Sequence, residues 1–198
     1  GGPASTGPDV YGAALDPEGI LWIAGRRGVF RHGEETTFEG QGPSFAVRRI
    51  AIDGHGRPVA ATYNEGLWRR ELDGEWRRFG GAPDAGLYTV WPTSETLWVG
   101  AGDGLYRLNG NRLERAFGSE LQGSVFALLE DSAGRLWAGT DDGVYRWNGR
   151  RLRRLGLRHG LMGREANRGG LIEDRHGRVW VGTQLGLSRF DPAFERSL

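Results

Sequence analysis

The residues able to carry acid–base or metal chemistry are few and scattered. The chain has four histidines, His32, His55, His159 and His176, and no cysteine, so disulfide and thiolate chemistry are excluded. His55 and His176 both stand in His-Gly-Arg stretches, and no pair follows the His-x-His or His-x-x-x-His spacing of a metal site. Aspartates recur as Asp-x-x-Gly at Asp16–Gly19, Asp53–Gly56, Asp131–Gly134 and Asp174–Gly177. One carboxylate per stretch falls far short of the about six to eight oxygens that calcium takes. An Asp first and a Gly last instead suit a type I turn closing a hairpin. The one pair placed for acid–base work is His159 with Glu165.

These residues sit on a repeated frame. Leu21-Trp22-Ile23-Ala24-Gly25, Leu97-Trp98-Val99-Gly100, Leu136-Trp137-Ala138-Gly139 and Val179-Trp180-Val181-Gly182 rhyme along the chain, and a degenerate copy, Val59-Ala60-Ala61-Thr62, fills the wide first gap. The period of about 38 to 43 residues fits four-stranded propeller blades, and the 3.6-residue apolar spacing of helical repeats is missing. The expected fold is therefore all-β, a single β-propeller domain of five four-stranded blades at about 10–42, 43–83, 84–121, 122–163 and 164–198. Blade four is the clearest, with strands expected at Val125–Glu130, Arg135–Thr140, Gly143–Trp147 and Arg151–Leu155. Ala193–Leu198 would supply the last blade's outer strand.

Both faces of the second strand are apolar, as in a sheet sandwiched between neighbours. The large–small pairing of Trp and Gly suggests that a Trp of one blade fills the space over a Gly of the next. The third strands read Gly28-Val29-Phe30-Arg31, Gly66-Leu67-Trp68-Arg69, Gly104-Leu105-Tyr106-Arg107, Gly143-Val144-Tyr145-Arg146 and Gly186-Leu187-Ser188-Arg189. Each repeated Arg is expected to lie over an aromatic ring as part of the scaffold.

Composition narrows the function classes. All 26 cationic residues are Arg, against 25 acidic ones, a net charge of +1 that argues against a nucleic-acid binder. No apolar run approaches the roughly 20 residues of a membrane helix, so no direct membrane insertion is expected. The segment Gly1–Asp9 is small and punctuated by proline, without the apolar stretch of a signal peptide.

The run Glu130-Asp131-Ser132-Ala133-Gly134-Arg135-Leu136-Trp137-Ala138-Gly139-Thr140-Asp141-Asp142-Gly143-Val144-Tyr145-Arg146 resembles the two-component regulator propeller repeat, as does the last blade from Ile172 to Pro192. The resemblance extends from about Val10 to the end of the chain. Blade two departs from it by lacking the Trp and carrying Pro58, and blade three by lacking the Asp-x-x-Gly turn. It implies a sensor propeller of bacterial hybrid two-component systems, in a periplasmic or extracellular setting, acting in signal transduction. Family propellers commonly have seven blades, where this chain has five.

Propeller ligand sites gather at a channel mouth, where innermost strands and the loops after the second strands converge. Aligning the innermost strands on the aspartate that ends them puts Tyr11, Arg48, Tyr88, Phe126 and Gly169 in one ring, with Gly12, Arg49, Thr89, Ala127 and Gly170 beside it. Neither ring holds a carboxylate or histidine, which favours a non-catalytic binder without metal or cofactor over an enzyme. The candidate ligand-binding residues are Arg48, Tyr88, Phe126, Arg168, Tyr11 and Tyr63, with Glu165 and Asn167 as a polar cluster nearby. Aromatic faces and Arg forks suit an oligosaccharide or a small anion. A protein partner or self-association is a further expectation. The catalytic alternative is a metal-dependent lyase similar to streptogramin-inactivating enzymes, resting on His159 and Glu165. The third is a structural or engineered propeller fragment with no ligand.

Overall fold

The computed structural model describes residues 9–32, 36–38 and 46–191. Their strands form five separate antiparallel sheets, each running from its innermost to its outermost strand in chain order. Blade one holds β1 (Val10–Leu15), β2 (Leu21–Gly25), β3 (Gly28–His32) and β4 (Thr36–Phe38). Blade two holds β5 (Val47–Ile52), β6 (Pro58–Thr62), β7 (Leu67–Arg70) and β8 (Trp76–Arg78). Blade three holds β9 (Leu87–Pro92), β10 (Leu97–Ala101), β11 (Gly104–Asn109) and β12 (Arg112–Arg115). Blade four holds β13 (Val125–Glu130), β14 (Leu136–Thr140), β15 (Gly143–Trp147) and β16 (Leu152–Leu155). Blade five has β17 (Ala166–Glu173), β18 (Val179–Thr183) and β19 (Gly186–Phe190) among the described residues. The molecule is a five-bladed β-propeller. The strand expected at Ala193–Leu198 lies outside the described residues. β14 and β16 each begin one residue later than expected, and two short 3-10 turns, Gly118–Glu120 and Leu157–His159, punctuate the loops into blades four and five.

The repeated aspartate does more than turn the chain. Asp131 Oδ1 accepts the backbone N–H groups of Ala133 and Arg135, while Oδ2 accepts Arg135 Nε at 2.6 Å and the indole N–H of Trp137 at 2.7 Å. Asp16 and Asp174 hold Trp22 and Trp180 in the same way, each at 2.8 Å. One carboxylate thus closes the hairpin and satisfies the buried indole six residues on, which would otherwise be a costly unpaired donor. Blade two keeps the aspartate, and Asp53 holds Arg57 where Val59 has replaced the Trp. Blade three closes the turn with the Thr93 hydroxyl. Across the strand, the third-strand arginines cover the same rings: Arg107, Arg146 and Arg189 lie 5.8, 5.5 and 5.9 Å from the centroids of Trp98, Trp137 and Trp180.

Packing between blades corrects one expectation. Trp and Gly of the second strand both point to the following blade, so the Trp does not fill the space over a neighbouring Gly. Trp22 meets Trp76 of blade two edge-on at 6.3 Å, and Trp137 meets Phe190 of blade five at 5.8 Å. The glycines serve the inner end of the interface instead. A Cβ on Gly139 would come within 2.8 Å of the Ala166 Cβ, and one on Gly100 within 2.6 Å of the Val125 carbonyl oxygen. Their lack of a side chain lets adjacent innermost strands close up near the axis.

Four interfaces of this kind join blades one to five, each with its own buried apolar cluster. The outer faces of blades one and five lack one. Val10 is 58% exposed, where its equivalents Val47, Leu87 and Val125 are at 0%. Leu187 is 60% exposed, where Val29, Leu67, Leu105 and Val144 are at 0%. Among the described residues, β17 does not pack on β1 as the other innermost strands pack on one another. Among the described residues, nothing fills the seam between blades five and one.

Candidate functional site

The innermost strands share an irregularity that builds the site. In β1 the register to β2 slips between Val10 and Gly12, in β5 between Val47 and Arg49, and in β13 between Val125 and Ala127. In β9 it slips between Leu87 and Thr89, opposite Gly100 and Ala101. Tyr11, Arg48, Tyr88 and Phe126 are thus the extra residues of four equivalent β-bulges. A bulge leaves its extra residue out of the ladder and re-aims its side chain, here toward the channel. The bulge of β17 is larger, because pairing jumps from Ala166–Thr183 to Leu171–Val181, and Arg168 and Gly169 lie in the loop it frees.

These side chains line one cavity of about 300 Å³, with Arg49, Thr89 and Val10 beside them. The Arg48 guanidinium carbon lies 5.0 Å from the Tyr11 ring centroid and 5.3 Å from that of Tyr63, which arrives from the loop after β6. The Arg168 guanidinium lies 4.8 Å from the Tyr88 ring and 5.7 Å from Phe126. The rings form a continuous row, Tyr63 to Tyr88 at 5.8 Å and Tyr88 to Phe126 at 5.2 Å. Gly86, at φ 72°, makes room for this row, since a Cβ there would strike the Tyr63 carbonyl oxygen at 2.6 Å.

The electrostatics are one-sided. Among the described residues, three guanidiniums line the cavity and no carboxylate does. Among the described residues, the buried Arg48 Nε has no hydrogen-bond partner, so the guanidinium rests on its ring contacts and keeps a donor free for a ligand. Burial pushes the Tyr88 hydroxyl up, with a hydrogen bond and charge from Tyr63 adding to it, while Arg168 and Arg48 pull the other way. Tyr88 therefore stays a neutral phenol at physiological pH, able to donate or accept. The arrangement can receive a planar or ring-shaped group between aromatic faces and neutralise an anionic substituent.

The other candidates lie elsewhere. Glu165 is exposed and does not line the cavity. Asn167 lies beside Gly182, where a Cβ would come within 3.7 Å of its amide nitrogen. His159 lines a separate cleft of about 350 Å³ with Asp142, Arg154, Arg158 and Arg164, and Glu165 is not part of it. His159 Nδ1 accepts the Gly156 N–H at 3.0 Å, and burial together with Arg158 and Arg154 disfavours its protonation. Among the described residues, no group of three His, Asp or Glu is placed to hold a metal ion. The aspartates of the repeat are spent on indoles and hairpins, and Arg77 and Arg154 of the basic outer strands pair with Asp73 and Asp142. Arg49 and Thr89 border the cavity too. Their place in the second ring of the strand alignment was the signal for them.

A family model described as "Two component regulator propeller" matches residues 119–142. No curated protein matches the chain. Among solved structures, the extracellular domain of the hybrid two component system BT4673 from B. thetaiotaomicron is 18% identical with a TM-score of 0.76, covering 96% of this chain and 28% of that one. The extracellular domain of the BT3049 system of the same organism is 17% identical at a TM-score of 0.76, covering 91% and 26%. A streptogramin B lyase is 13% identical at a TM-score of 0.71, covering 94% and 66%. The chain thus spans only about a quarter of the length of these two extracellular domains. Among the described residues no helix is long and apolar enough to cross a membrane. The chain is a five-bladed propeller in which residues 119–142, at the start of the fourth blade, match the model of the two component regulator propeller.

Proposed function

We propose that this propeller is a non-catalytic recognition module in an extracytoplasmic sensor, binding an acidic oligosaccharide or similar small anion at its channel mouth. The observation that carries the reading is the pair of guanidiniums, Arg48 and Arg168, each laid on aromatic rings in a cavity without a carboxylate. Sugar rings stack on Tyr88 and Phe126, and a carboxylate or sulfate meets the arginines, including the unpartnered Nε of Arg48. The likeness to extracellular sensor domains supports the setting.

Isothermal titration with oligogalacturonate and with its neutral methyl ester tests this. The acidic form binds and the ester binds less, and Arg48→Ala or Arg168→Ala each weakens binding by about tenfold or more. Equal affinity of wild type and Arg48→Ala removes the proposal's support. The lyase alternative is separated by assaying streptogramin turnover with divalent metals, where activity abolished by His159→Ala would replace the binding reading.

A further inference from the structure

The seam between blades five and one presents two surfaces with a known fit to each other. On blade five these are Ile172, 64% exposed, the half-buried Trp180 and Leu187. On blade one they are Val10 and Leu15, 63% exposed. The equivalents of Leu187 and of Val10 meet at every internal interface: Val29 with Val47 in one apolar cluster, Leu67 with Leu87 in another, Leu105 with Val125 in a third, and Val144 with Ala166 in the fourth. A surface of the blade-five kind therefore has one demonstrated complement, a surface of the blade-one kind. Each molecule leaves one of each uncovered by any described residue. Exposed β-branched and leucine side chains clustered on a sheet face mark an interaction surface.

We propose that a second copy of this chain covers the seam, blade five of one molecule stacking on blade one of the next and continuing the blade-on-blade packing across the molecular boundary. The contact is heterologous and head-to-tail, because the two surfaces differ, so copies add in one direction. Its centre would place Leu187 against the partner's Val10 and the Trp180 face toward the partner's Leu15. The contact of Leu187 with Val10 repeats the apolar pairing found at the four internal interfaces.

Sedimentation of the whole chain over a micromolar concentration series tests this with two variants, Leu187→Glu and Val10→Glu. Both side chains are exposed, so neither substitution disturbs the fold, and thermal melting identical to wild type verifies that. Wild type is expected to gain mass with concentration, and each variant alone to associate about 100-fold more weakly or not at all. Mixing the variants gives the decisive result. Each retains the surface that the other has lost, so together they form a 1:1 dimer that cannot extend. A wild-type monomer at every concentration would overturn the proposal and assign the seam to another occupant or to closure of the molecule on itself. Association that persists in both variants, or a mixture that stays monomeric, would overturn it too.

Discussion

The interface between blades four and five and the seam between blades five and one use the same positions of the repeat, yet among the described residues only the first is filled. Trp137 is 2% exposed and lies against Phe190 of the next blade, whereas Trp180 has its Asp174 hydrogen bond and its Arg189 cover and stays half-buried, with no described blade stacked on it. The two tryptophans share a local setting and differ in their neighbour. What a blade contributes to itself, the hairpin and the indole lock, is therefore separable from what it contributes to the ring. Apolar burial against the next blade is the larger part of a propeller's cohesion.

The sharpest way to break this comparison is to truncate both indoles. Trp137→Ala should cost about 3 to 5 kcal/mol as a core deletion, and Trp180→Ala about 1 to 2 kcal/mol, since only partial burial is lost. Urea denaturation of dilute protein reads both, and equal losses would mean that the seam is covered in the monomer. Next in size is the leucine pair. Leu67→Ala should destabilise by about 2 to 5 kcal/mol, while Leu187→Ala at the equivalent open position should stay within about 0.5 kcal/mol.

A third test isolates the lock from the packing. Partial desolvation pushes the Asp174 carboxyl up, but hydrogen bonds from the Trp180 indole, the Arg178 side chain and the backbone N–H groups of His176 and Arg178 outweigh it and hold it well below the usual carboxylate range. A depressed pKa gives stability that is present above the unfolded-state value near about 3.9 and is lost as pH falls toward the folded one. The melting temperature of wild type should drop below that pH, and Asp174→Asn should flatten the drop while lowering stability at neutral pH. An unchanged acid limb in the variant would show that the lock contributes little in blade five.

The smallest expected effect on stability is at the mouth. Arg48→Ala removes a buried donor without a partner, so stability should change by no more than about 0.5 to 1 kcal/mol even as ligand affinity falls. A large loss of stability would make Arg48 a scaffold residue like Arg146.

Much of this could be read from the chain because it rests on local rules. The repeat period, the Asp-x-x-Gly hairpins and the Arg opposite each Trp are settled by a few neighbouring residues, and the ring of Tyr11, Arg48, Tyr88 and Phe126 follows from aligning strands. The six-residue step from Asp to Trp was visible as well, though its meaning as a hydrogen bond emerges only when the hairpin folds the carboxylate back onto the indole. Glu165 and Asn167 looked like site residues because they adjoin Arg168 in sequence. The enlarged bulge in β17 carries Arg168 and Gly169 to the mouth, whereas Glu165 and Asn167 do not line the cavity.

The sequence by itself determined the blade, its core positions and the number of its copies, since each copy's hydrophobic pattern dictates its own sheet. Only the tertiary structure decided the rest. Which copies of the repeat find a neighbour depends on how successive blades stack, which is written in no single repeat: Val10 and Leu187 are exposed where their equivalents in the other blades are buried. The cavity likewise joins side chains from every blade around one axis. Their meeting is set by the bulges and by the stacking of sheets, and residues as distant in the chain as Tyr11 and Arg168 come to share one cavity.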